Sequence, residues 1–190
     1  MALRSFISRH PLLAGAAFQG VLIPLAFVLA ALAGVPLLGA MDWSIEAVAL
    51  GLLVTTPMFL LVALLGWADH PAFRAIRAQL QEFLDLLFRG APAGSVVLIA
   101  VLAGVGEELL VRGVLQQWLG LHLPAGAAIL LASILFGLAH YVSHLYFVFA
   151  TLIGLYLGWV YHVTENLVVV MIAHAAYDWA VIRWYLARPA

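Results

Sequence analysis

Cysteine and lysine are both absent from this 190-residue chain, and each absence closes a class of function. Without cysteine there is no disulfide framework and no thiolate metal site, so any metal would have to be held by histidine and carboxylate. Without lysine, and with a net charge of -1, the chain has no broad basic surface for nucleic acid. Charge of either sign is scarce, at 9% of residues, whereas 66% are hydrophobic and the mean hydropathy is +1.14. That balance lies far from an ordinary soluble domain and marks an integral membrane protein.

The apolar sequence is broken at Asp42, at Asp69-His70-Pro71, at Gly90 to Gly94, at His122 to Pro124, near Ser143-His144 and at Thr164-Glu165-Asn166. The breaks predict spans at about 12–38, 45–67, 95–119, 125–141, 145–162 and 166–187, each near the ~20 residues that a hydrocarbon core requires. The fourth and fifth are short and should form a tight hairpin. With no internal repeat and no linker, the expected fold class is all-α: a polytopic bundle of about six transmembrane helices forming one integral membrane domain over residues 1–190. Arg4 and Arg9 ahead of an apolar run, and Ala31-Leu32-Ala33 within it, imitate a secretory signal. The run is too long for a signal core and more spans follow, so it is expected to be a retained first span.

Between the second and third spans, PAFRAIRAQLQEFLDLLF places Phe73, Ile76, Leu80, Phe83, Leu84 and Leu87 at helical spacing. An interfacial amphipathic helix is expected there, with Arg74, Arg77, Gln81 and Asp85 toward water, acting as a plain connector or as a guide for substrate. Six spans with the N-terminus inside put Arg4, Arg9, Arg74, Arg77, Arg89, Arg183 and Arg188 on the cytoplasmic side and no arginine in an outer loop. A bacterial-type inner or plasma membrane with both termini cytoplasmic is the expected setting. The tryptophans fall toward span ends, where indole rings favour the interface.

Of the arginines only Arg112 lies away from the cytoplasmic side and deep within a span, in the company of Glu107 and Glu108. A charge at the centre of a membrane helix costs roughly 2.5–3.5 kcal/mol, so three in six residues must find partners. Glu108 and Arg112 are four apart on one helix face and form a natural ion pair; Glu107 lies about 100° around the helix. Spacing therefore favours Glu107 as the carboxylate that does chemistry, as a general base toward water. The bland reading of Glu108 and Arg112 is a buried pair that locks helices together.

His140 closes the fourth span, and His174 and Asp178 lie four apart in the sixth, where the carboxylate can fix the imidazole tautomer. At 1.5 Å per residue, Glu107 lies ~18 Å, His174 ~20 Å and His140 ~8 Å from the cytoplasmic boundary, so the three can meet in a cavity in the inner half of the bilayer. His144 could join them but falls at a loop, while His10, His70, His122 and His162 should meet water. Glu165 and Asn166 are expected to make the turn into the last span. Gly104, Gly106 and Gly113 around the glutamates permit close helix approach.

Three motifs now stand in order: Glu-Glu-x-x-x-Arg at Glu107, Glu108 and Arg112; Phe-x-x-x-His at Phe136 and His140; His-x-x-x-Asn/Asp at His174 and Asp178. Together they resemble the CPBP, or ABI, intramembrane proteases, which include the type II CAAX prenyl endopeptidases, over a core of about residues 94–182. The resemblance implies hydrolysis of a peptide bond in a membrane-anchored or lipid-modified protein or peptide. It assigns water activation to Glu107 and His140, oxyanion stabilisation to His174 and Asp178, and support to Glu108, Arg112 and Phe136. Asp178 stands where the family also carries asparagine; an ionised aspartate only accepts hydrogen bonds, so either His174 donates to the oxyanion with Asp178 orienting it, or a metal is involved. Zinc on Glu107, His140 and His174 is a candidate, although the His-Glu-x-x-His signature is missing; a cofactor-free, glutamate-dependent mechanism is favoured. A proton or ion conductor, and a non-catalytic immunity or binding protein, are the rival classes.

Overall fold

The computed structural model describes residues 9–67 and 69–187; Arg4 and Arg188, two of the arginines that set the expected orientation, lie outside the described residues. Among the described residues every long element is a helix and none is a strand. Helix α1 is Pro11–Ala33, α2 is Ile45–Trp67 and α3 is Pro71–Phe88. Helix α4 begins as Ser95–Glu108, widens into a π-helical stretch over Leu109–Gln116 and closes with Gln117–Gly120. Helices α5 (Ala125–Ala139), α6 (His144–Thr164) and α7 (Leu167–Leu186) follow. Four of them are long and apolar enough to cross a membrane, namely α1, α2 over Ile45–Leu64, α6 and α7. Helix α5 is a shorter apolar helix of 15 residues.

Local chemistry explains most boundaries. Pro11 opens α1 and Pro71 opens α3, positions at which the missing N–H costs nothing. Ser143 Oγ caps α6 by accepting from the Tyr146 N–H at 3.2 Å, and Asn166 Oδ1 caps α7 by accepting from the Val168 N–H at 3.0 Å. Glu165 stands between α6 and α7 in the left-handed region, φ 50°, so it and Asn166 do make the turn expected of them. The first helix stops earlier than the apolar run suggests. Gly34 adopts φ 69°, the Val35 N–H turns back to the Ala30 carbonyl, and Pro36 follows. Hydropathy alone gives no sign of that stop.

Helix α7 lies at the centre of the bundle. Leu167 to Met171, Ala173 and His174 are all buried, and the helix packs most extensively on α4 and α2. The first turns of α7, Leu167 to Ala173, are apolar on every side, which suits such a position. The approach of α4 to α7 depends on Gly104, where an added Cβ would lie 2.6 Å from the Ala175 backbone nitrogen. The approach of α1 to α4 depends on Gly106, where it would lie 2.9 Å from the Gln19 carbonyl oxygen. The small residues beside the glutamates thus allow the close helix contacts expected of them.

Each end of the bundle has its own linkage. At one end Asn166 bonds both backbone groups of Asp42, at 3.1 and 3.0 Å, joining the α6–α7 turn to the segment between α1 and α2. At the other end, Leu84 and Phe88 of α3 pack with Ile99 of α4 and Ile182 of α7, and Leu12 of α1 packs against that cluster.

Candidate active site

Glu107 and Glu108 end the α-helical part of α4, and the π-helical stretch begins at the next residue. In a π turn the helix widens and side-chain register shifts, a feature often found at functional sites. Here it carries Arg112 and Gln116 against α6. Arg112 Nη2 donates to the Gly154 carbonyl at 2.8 Å, and Gln116 Nε2 donates to the Gly158 carbonyl at 2.9 Å. Arg112 Nη1 donates to Glu108 Oε1, also at 2.8 Å, with both side chains fully buried. The expected pair is therefore formed, and Phe136 lies against it with its ring centroid 4.9 Å from the guanidinium carbon.

The same Glu108 oxygen reaches His174 Nδ1 at 2.7 Å, whereas Asp178 Oδ2 stands 3.7 Å from His174 Nε2. Sequence spacing gave the orienting role to Asp178. The structure gives the short contact to Glu108 instead, because α4 and α7 approach so closely that a carboxylate across the interface outreaches the one on the next turn. Asp178 remains beside the imidazole on its Nε2 side.

His140 is the residue after α5, and its Nδ1 lies 2.9 Å from the Phe136 carbonyl oxygen. A carbonyl only accepts, so Nδ1 carries the proton and Nε2 turns toward Glu107. His140 Nε2 is 3.4 Å and His174 Nε2 is 3.9 Å from Glu107 Oε2. The other carboxylate oxygen, Oε1, accepts a hydrogen bond from Gln19 Nε2 at 2.8 Å. Among the described residues Oε2 has no hydrogen-bonding partner. Phe136 packs on both imidazoles, with ring centroids 4.4 Å from His140 and 6.0 Å from His174.

Glu107, Glu108, Arg112, Phe136, His140, His174 and Asp178, all singled out from sequence, are thus brought into one cluster. His144 is not: its Nδ1 bonds the Tyr141 hydroxyl at 2.8 Å, away from the glutamates. Sequence reasoning passed over Gln19. Its one visible signal was that it is the lone polar side chain between Pro11 and Ala33.

The cluster faces two cavities. One, of about 790 Å³, contains Glu107, His140, His174 and Asp178 among its walls and is otherwise largely apolar. Phe73, Ile76, Leu80 and Phe83 of α3 line it, and so does Arg77. Arg77 was expected to face water; it is half-buried and turns inward, because it follows Phe73 by four residues and precedes Leu84 by seven, on the apolar face of α3. A second cavity, of about 800 Å³, runs between α1 and the π-helical part of α4, bounded by Leu32, Val114 and Leu135. Phe18, Gln19, Glu107 and His140 line both.

With Nδ1 of each imidazole engaged elsewhere, two Nε2 atoms and one carboxylate oxygen face a common space. Neutral His140 Nε2 and ionised Glu107 Oε2 are hydrogen-bond acceptors, a pair that calls for protons a water molecule can supply, while His174 Nε2 is a donor when that imidazole is protonated. Zinc accepts the same donor types, but among the described residues no three His, Asp or Glu side chains have the arrangement of a metal site.

No curated protein and no solved structure matches the chain. A family model does, over residues 89–180, described as type II CAAX prenyl endopeptidase Rce1-like. That segment holds every residue of the three motifs, from Glu107 to Asp178, and the match is consistent with the CPBP resemblance. Over residues 89–180, a little under half of its length, the chain is similar to the Rce1-like type II CAAX prenyl endopeptidase family.

Proposed function

We propose that this membrane protein is an endopeptidase that crosses the bilayer six times with both termini in the cytoplasm. Residues 94–182 form its protease core, and it cleaves a peptide bond of a membrane-anchored or lipid-modified protein or peptide. The observation that carries the reading is the convergence of Glu107 Oε2 with the Nε2 atoms of His140 and His174, 3.4 and 3.9 Å away, beside a largely apolar cavity. The alternating placement of loops agrees with six crossings. The 34–44 and 164–167 segments meet at one end through Asn166 and Asp42, while α3 gathers Leu12, Ile99 and Ile182 at the other. Helix α3 then lies at the cytoplasmic face.

In this mechanism Glu107 Oε2, with His140 Nε2, accepts a proton from water as the water oxygen bonds to the scissile carbonyl carbon. The carbonyl oxygen gains the electron pair. His174, with Nδ1 held by Glu108, donates from a protonated Nε2 to that oxyanion. When the C–N bond breaks, the proton held at Glu107 passes to the departing amine. A carboxylate that receives and then returns one proton leaves the enzyme unchanged, and the largely apolar walls keep other water from competing. The role of the glutamate requires no cofactor.

The test is cleavage of farnesylated and unmodified membrane peptides by purified protein, with and without a chelator, read by mass spectrometry. We expect cleavage that resists chelation and vanishes in Glu107→Gln and His140→Ala, with both variants inserted and folded. Full activity in either variant would remove the mechanism. Proton flux in liposomes that depends on Glu107, without any peptide product, would replace an enzyme with a conductor.

A further inference from the structure

Gln19 stands alone in α1. Every other side chain from Pro11 to Ala33 is apolar, and an amide in such a helix needs a partner because lipid offers none. Its partner is the carboxylate at the centre of the cluster: Nε2 donates to Glu107 Oε1 at 2.8 Å. The amide must present its NH₂ group there, since an ionised carboxylate has no proton to give. The contact is built into the backbone. Gly106, the residue before Glu107, is the point at which α4 touches the Gln19 carbonyl oxygen, so no side chain intervenes between the two helices.

The consequence falls on the other carboxylate oxygen. Rotation about the last bond of a glutamate is soft and roughly two-fold, so burial alone does not decide which oxygen faces the histidines. A donor fixed on Oε1 decides it. Oε2 is left toward His140 and His174, where water must be held. Among the described residues Gln19 Oε1 is also buried without a partner, and the side chain lines both cavities at the place they share with Glu107 and His140. A peptide lying across that place would pass its backbone N–H groups beside this acceptor.

We infer that Gln19, outside the three motifs, is a positioning residue that fixes the reactive face of Glu107 and receives a backbone N–H of the substrate beside the scissile bond. This rests on the proteolytic reading, and two kinds of measurement keep the two ideas apart. The first is kinetic. Gln19→Met keeps the shape of the side chain and removes its polarity, and Gln19→Asn keeps the amide but is one methylene too short. In both, kcat should fall roughly 10- to 100-fold, as expected for a misplaced reacting group. KM for a membrane peptide should rise by no more than about threefold, since one hydrogen bond is lost from an extended contact. The second is spectroscopic and needs no substrate. Isotope-edited infrared difference spectra against Glu107→Gln isolate the Glu107 carboxylate stretch, which should shift in both variants.

Wild-type kcat in Gln19→Met while the wild type cleaves would overturn the inference and leave the protease standing. An unshifted carboxylate band would overturn it as well. If the wild type cleaves nothing but the band shifts, the contact with Glu107 is real and the proteolytic reading fails. Loss of folded protein in both variants would show that Gln19 anchors α1 instead of orienting Glu107, and would end the proposal.

Discussion

Glu108 is asked to hold two groups at once. Its Oε1 receives Arg112 at 2.8 Å and His174 at 2.7 Å, so one carboxylate both neutralises the buried guanidinium and sets an imidazole. Removing one member of a buried charged pair costs about 3–5 kcal/mol, because the remaining charge is stranded in a medium that cannot solvate it. Arg112→Ala should therefore lower the yield of folded protein and shift unfolding in detergent by an amount of that order. The loss of its bond to the Gly154 carbonyl and its contact with the Phe136 ring adds to the effect. An Arg112→Ala protein that unfolds like the wild type would contradict this account of the pair.

Asp178 and Glu108 should separate in the same way. Asp178 stands 3.7 Å from His174 Nε2 while Glu108 holds Nδ1, so orientation survives at Asp178→Asn, and an amide there can itself donate to an oxyanion. That variant should retain activity within about tenfold, the scale on which removal of an outer partner begins to matter. Glu108→Ala, by contrast, frees the imidazole and strands Arg112, and should lose both activity and folded yield. Equal cleavage rates in these two variants would refute the assignment.

At the scale of elements, two glycines decide whether the residues can meet. A Cβ at Gly104 would lie 2.6 Å from the Ala175 nitrogen and 2.8 Å from the Met171 carbonyl oxygen, both backbone atoms of α7 that cannot swing aside. Gly104→Leu must force α4 and α7 apart, and overpacking of this kind costs about 1–3 kcal/mol or more. It should also lengthen the reach from Glu108 to His174, so cleavage should fall more steeply than stability. Activity and thermal unfolding measured on one preparation test this, and wild-type cleavage by Gly104→Leu would mean the interface does not set the site. Such elements were legible in sequence because polar residues and glycines are conspicuous in lipid-soluble runs. The three-motif cluster, the Glu108–Arg112 pair and the turn at Glu165-Asn166 all follow from spacing and local chemistry.

What spacing missed depends on contacts between distant segments or on backbone changes without a composition cue. Asp178 is nearer to His174 along the chain, but Glu108 is nearer across the interface. Arg77 carries charge, which suggests water, yet occupies the apolar face of α3 and turns into the cavity. The π-helical stretch over Leu109–Gln116 has no residue that announces it. Its cause is visible only when Arg112 and Gln116 are seen bonding Gly154 and Gly158 of α6. Gln19 could have been found by asking why one amide stands in an apolar helix.

For the whole molecule, six crossings require the two linked ends to lie in different compartments. In the proposed topology the segment that holds Asp42 and Ser44 and the exposed loop at His122 are assigned to the outer side, and Ala91, beside α3, to the cytoplasmic side. The absence of cysteine makes this directly measurable, because any single introduced thiol is the only one present. In intact cells a membrane-impermeant maleimide should label Ser44→Cys and His122→Cys and leave Ala91→Cys unmodified until the membrane is opened. The pattern follows from the arginines: Arg74, Arg77 and Arg89 flank the same segment as Ala91, and short loops rich in arginine stay in the cytoplasm. It also follows from the Asp42–Asn166 contact, which requires the α1–α2 and α6–α7 connections to share a side. Labelling of Ala91→Cys from outside would invert the orientation and move the α3-lined cavity to the outer face. Labelling of Ser44→Cys and His122→Cys from opposite sides would break the six-crossing count itself, since α2, α3 and α4 together must return the chain to the side from which it left.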